Sequence, residues 1–132
     1  MTIHHAALET LPQDRDALVA FFALLGFAEV EVPDGLREIA RWVRAHAEGG
    51  SGDGTQIHIL FADETVVPPD GHVAVVAPDY EDTVARLRQA GHDIEERTPY
   101  WGAPRCFVTA PGGHQVEVME FTPPPRRWLA SP

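Results

Sequence analysis

Pro68-Pro69-Asp70-Gly71-His72-Val73-Ala74-Val75 stands at the middle of the chain, and there the order of structural signals starts over. The turn-forming Pro-Pro-Asp-Gly separates two runs that read alike. His5-Ala6-Ala7-Leu8 corresponds to His72-Val73-Ala74-Val75, 67 positions on. Gly26, which ends a helical apolar pattern, corresponds to Gly91, 65 positions on. Gln56-Ile57-His58-Ile59-Leu60 corresponds to Gln115-Val116-Glu117-Val118-Met119, 59 positions on. Three matches in one order, each at an equivalent structural point, indicate an internal repeat.

Within each copy the periodicity changes from strand to helix and back. The first copy predicts a strand over 3–8 and a helix over 16–25, with Leu18, Val19, Phe21, Phe22 and Leu25 at helical spacing. Strands over 27–32, 39–45 and 56–61 follow, with a Gly-rich connector over 48–55. The second copy predicts a strand over 72–77, a helix starting at Asp79 or Asp82, and strands over 94–97, 105–109 and 115–121. Each copy is βαβββ. A half of roughly 60 residues buries little core alone, so two halves must share one. The expectation is an α+β fold: two βαβββ modules over 3–62 and 71–121 form a curved, cup-like mixed sheet with helices on the outer face. They make a single domain of residues 1–132, with a Pro-rich tail over 122–132.

Composition narrows the function. The chain has 20 acidic and 10 basic residues, a formal charge of -10. All the basic residues are arginine, and lysine and asparagine are absent. Lysine-based Schiff-base chemistry, a P-loop and N-glycosylation are therefore excluded. The acidic balance argues against nucleic-acid or anionic-membrane partners, because phosphate contacts need clustered positive charge. It suits a cationic ligand. Cys106 is the one cysteine, so there is neither an intrachain disulfide nor a cysteine-only metal site; it reads as a small hydrophobe in a strand. The opening MTIHHAALET lacks a basic segment followed by an apolar core, and no apolar run reaches bilayer length. A cytoplasmic protein is expected.

Strand alternation then sorts side chains by face. Placing Ile57, Ile59, Val116, Val118, Val73 and Val75 toward the helices sends His58, Glu117 and His72 to the opposite face. The repeat sends His5 with them. Imidazoles and a carboxylate from several rigid strands form a ligand set for a divalent metal such as Zn, Fe, Ni, Mn or Co. A carboxylate at Glu117, inside the apolar run Val116-Glu117-Val118-Met119, is costly unless paired or metal-bound. Arg105 reads either as a bidentate anion-binding group or as an exposed strand charge. Tyr100 and Trp101, in the loop TPYWGAPR, read either as an aromatic lid or as interface residues. Trp42 reads as core packing on the helix side. His4, His46, His92 and His114 have no ligand-type counterpart in the other half and read as surface or turn residues.

IHHAAL, FFALLGF, QIHIL, GHVAV, RLRQAGH and APGGHQVEVME together resemble the vicinal oxygen chelate superfamily over about residues 3–121. That superfamily includes glyoxalase I, fosfomycin-resistance proteins, extradiol dioxygenases and bleomycin-resistance proteins. The resemblance places metal ligands at His5, His58, His72 and Glu117. It leaves His58 as either a fourth ligand or an acid/base beside Glu117. It implies a small metal-dependent lyase, isomerase or dioxygenase acting on an oxygen-rich small molecule, working by Lewis-acid polarisation of an oxygen next to the reacting carbon. It also implies a homodimer, with the site within one chain or shared by two. The alternative is a binding protein of the bleomycin-resistance type, which sequesters a drug without chemistry.

Overall fold

The computed structural model describes residue 1 and residues 3–45 and 55–124. The first module runs β1 (His5–Thr10), α1 (Arg15–Leu24), β2 (Phe27–Val30), β3 (Ala40–Ala45) and β4 (Gln56–Phe61). The second runs β5 (Val73–Val76), α2 (Tyr80–Gln89), β6 (Ile94–Arg97), β7 (Arg105–Thr109) and β8 (Gln115–Met119). The sheets have the same topology, β1-β4-β3-β2 and β5-β8-β7-β6. In each, the first strand runs parallel to the last, and the remaining pairs are antiparallel.

The register makes the repeat quantitative. His58 pairs with Ala7 on one side and Trp42 on the other. Glu117 pairs with Ala74 and Phe107. His58 and Glu117 therefore occupy one position of the module. Both helices end alike: Gly26 and Gly91 sit at φ 85° and 86°, a left-handed turn that costs a residue with a Cβ.

Several expected boundaries move. The first strand begins at His5 and continues to Thr10, where the ladder to β4 ends. The strands expected over 72–77 and 115–121 are shorter, Val73–Val76 and Gln115–Met119. Residues 46–54, including His46 and most of the Gly-rich connector, and residues 125–132 of the tail lie outside the described residues.

One core joins the modules. Leu18, Phe21 and Phe22 of α1 cluster with Val84 and Leu87 of α2 and with the inward residues Ile57, Ile59, Val116 and Val118. Truncating a side chain such as Phe22, which is fully buried, costs about 3–5 kcal/mol. Two histidines expected as surface or turn residues take part in this junction. His92 lies edge-on to Phe21, with ring centroids 5.0 Å apart. His114 is buried, and its Nε2–H donates to the Glu9 carbonyl at 2.6 Å, tying the start of β8 to the end of β1. Among the described residues no helix is long and apolar enough to cross a membrane.

Candidate functional site

Each sheet turns one face to its helix and keeps ligand-type side chains on the other. In the first module His58 is buried in mid-strand, 7% exposed, between two flat rings. His5 stacks on one face with centroids 3.8 Å apart, and Trp42 on the other at 4.0 Å and 4° from parallel. Trp42 thus lies on the site face and not on the helix face. Its pairing opposite His58 requires this, because paired residues share a side. The strand sequence Ala40-Arg41-Trp42-Val43-Arg44-Ala45 hides it, since polar and apolar residues do not alternate cleanly there.

The His58 Nε2–H donates to Gln56 Oε1 at 2.9 Å, which leaves Nδ1 as the lone-pair nitrogen. Burial, then the neighbouring His5 and His4, hold the His58 pKa below the usual histidine range. These effects favour the neutral imidazole of His58. His4 also belongs here: His4 Nδ1 lies 3.0 Å from His5 Nδ1, and its ring meets His58 edge-on at 6.1 Å. The ligand atoms of His4, His5 and His58 all lie within 4.8 Å of one another.

The second module holds His72 and Glu117. The His72 Nδ1–H donates to the Asp70 carbonyl at 3.0 Å. Its Nε2 faces Glu117 Oε2, also at 3.0 Å. In a neutral imidazole that nitrogen carries a lone pair, so two acceptors confront each other and only a cation, proton or metal, satisfies both. A carbonyl fixing the far nitrogen is the usual support of a metal-binding histidine. Arg105 Nη1 holds the other oxygen, Oε1, at 2.7 Å. With Arg105 and Glu117 side chains 11% and 9% exposed, this is a largely desolvated ion pair. Arg105 also donates through Nε to the Thr98 carbonyl. Its guanidinium lies 5.4 Å from the ring centres of both Tyr100 and Trp101. The loop aromatics therefore grip Arg105, and Trp101 is itself anchored by Nε1–H donation to the Phe121 carbonyl.

His5 and His58 belong to the first module and His72 and Glu117 to the second, each pair forming one half-site. Among the described residues, the one group of three or more His, Cys, Asp or Glu side chains with ligand atoms that close together is His4, His5 and His58. A pocket of about 480 Å³ opens beside His72 and Phe107, with Asp70, Asp93 and Glu95 at its wall. The donor chemistry of both half-sites fits a divalent transition metal.

Cys106 is fully buried, and burial pushes its thiol pKa up, so it is a packing residue and not a nucleophile.

Paired βαβββ modules with imidazole and carboxylate groups on equivalent strands define a class of two-module, cup-like folds. The chain belongs to the Glyoxalase/Bleomycin resistance protein/Dioxygenase superfamily, whose family model matches residues 2–118. A search of the curated proteins gives no match. Among solved structures, the chain is similar to the oxidase ChaP-H2, at 18% identity and TM-score 0.70, covering 94% of this chain and 96% of that one. It is similar to the genomically encoded fosfomycin resistance protein FosX from Listeria monocytogenes, at 16% identity and TM-score 0.69, covering 92% and 91%. It is also similar to lactoylglutathione lyase from Agrobacterium tumefaciens, at 18% identity and TM-score 0.62, covering 89% and 92%. At these identities the likeness is one of fold.

Proposed function

We propose that this chain is a metal-dependent enzyme of the glyoxalase/dioxygenase type, a lyase, isomerase or dioxygenase acting on an oxygen-rich small molecule. In this reading it works as a homodimer. His5 and His58 of one protomer meet His72 and Glu117 of the other, so that the two half-sites close on one divalent ion, Zn, Ni, Fe, Mn or Co. The observation that carries the reading is the confrontation of His72 Nε2 with Glu117 Oε2 at 3.0 Å, with Nδ1 already committed to the Asp70 carbonyl. The exposure of His5 supports the shared arrangement, because it leaves the first half-site accessible to a second protomer.

The bound metal would supply Lewis-acid polarisation of a substrate oxygen. The protein's own groups do the rest. Arg105 fixes Glu117 through Oε1 and leaves Oε2 toward the site. Glu117 is the group able to take a proton from a carbon beside the polarised oxygen, while His58, whose one free nitrogen is Nδ1, holds the ion in this reading. Tyr100 and Trp101 flank the Arg105 guanidinium at the substrate side. The test is metal analysis of protein purified without chelators. About one divalent ion per chain, bound more weakly in a folded His72→Ala variant, supports the reading; metal-free wild-type protein overturns it.

A second reading, a binder of a cationic small molecule without chemistry, is favoured by Asp70, Asp93 and Glu95 around the pocket beside His72 and by the charge of -10. Ligand binding unaffected by chelator would select it.

A further inference from the structure

The first half-site holds three ligand-type side chains against two in the second module, and the additional one is His4. Consecutive strand residues point to opposite faces, so a side chain at position 4 belongs on the helix side if the pleat runs through it. His4 lies one residue ahead of β1, and its carbonyl accepts the Gln56 N–H at 3.2 Å. Its ring nevertheless lies beside that of its neighbour: the His4 and His5 planes stand 89° apart with Nδ1 atoms 3.0 Å from each other.

We propose that His4, His5 and His58 form a three-imidazole site that holds a divalent transition metal within one protomer, before a partner contributes any ligand. The inference deepens the metal-dependent reading and rests on it. Three observations converge. The three ligand atoms lie within 4.8 Å of one another. The 3.0 Å separation of the two Nδ1 atoms is close to the edge of a tetrahedron with metal–nitrogen bonds of about 2.0–2.1 Å, roughly 3.3 Å. The Gln56 amide fixes His58 so that Nδ1 is its free nitrogen. His4 and His5 are exposed, which gives an ion access from solvent, while His58 closes the inner side. Three neutral nitrogens without a carboxylate select borderline metals such as Zn, Ni, Co or Cu over Mg or Ca. On this basis the ion loads on the first half-site, and the His72–Glu117 pair completes the shell afterwards.

The test titrates Co²⁺, whose visible spectrum reports nitrogen ligation, into the full chain and three variants. The double variant His72→Gln/Glu117→Gln removes the second half-site, and we expect it to bind about one Co²⁺ per chain, more weakly than wild type. Adding His4→Ala to it should lower that affinity by at least tenfold and change the Co²⁺ spectrum. His4→Ala alone, at an exposed position, should keep the wild-type melting temperature and lose about tenfold in affinity. Co²⁺ binding by wild type but none by the double variant overturns the inference and leaves the shared site standing. Unchanged affinity and spectrum after His4→Ala overturn it as well. Failure of wild type to bind Co²⁺, Zn²⁺ or Ni²⁺ at all overturns both this inference and the function on which it rests.

Discussion

The imidazole of His58 lies flat against the indole of Trp42, with ring centroids 4.0 Å apart and planes 4° from parallel. With His5 on the opposite face and Gln56 on its edge, His58 has one orientation and one free nitrogen. Gln56→Leu removes the bond that fixes this tautomer. Metal affinity should fall by about 10–100-fold, the usual cost of losing a partner behind a ligand. Calorimetric titration of Zn²⁺ checks it. Equal affinities would mean that Gln56 does not set the binding nitrogen.

Arg105 and Glu117 form the other fixed relationship. Breaking a buried ion pair from one side leaves an uncompensated charge and costs about 3–5 kcal/mol. Arg105→Leu should therefore lower the unfolding free energy of metal-free protein by about 3 kcal/mol in urea. Glu117→Gln in the same background should recover most of that loss, because the stranded carboxylate is gone. An equal loss with and without Glu117 would show that Arg105 acts through packing on Tyr100 and Trp101 instead.

Alkaline stability follows from two buried acids. Burial raises the pKa of Cys106 from an ordinary 9.0, and burial also raises that of Tyr80 from 10.0. Both deprotonate more readily in the unfolded chain. The stability they contribute is complete below about pH 9 and is lost as the pH rises beyond it. Urea midpoints measured from pH 7 to 11 should fall above pH 9, and less steeply in Cys106→Ala. Native Cys106 should resist thiol reagents at pH 8 and react on unfolding. A rapidly reacting native thiol would contradict its burial.

The sequence carried the module order plainly, because helix-ending glycines and the paired motifs around His5, His58, His72 and Glu117 recur in one order. The register confirms that His58 and Glu117 are equivalent positions. Trp42 was not legible, because its face depends on pairing with β4 and its strand lacks clean alternation. His4 was hidden because it lies one residue ahead of β1, where strand alternation does not assign a face. The role of His114 depends on a contact 105 residues away in sequence. The placement of one module against the other was equally hidden, since it is set by the shared core of α1 and α2.

A shared site makes one result decisive. His58→Ala disables the first half-site and Glu117→Ala the second, so each homodimer lacks every complete site. Mixing the two variants under exchange conditions forms heterodimers in which one site has both halves intact. Zn²⁺ titration of the mixture should show wild-type-tight binding at about one ion per heterodimer, with none in either parent. Tight binding that never reappears, although heterodimers form, would contradict a site built from two protomers.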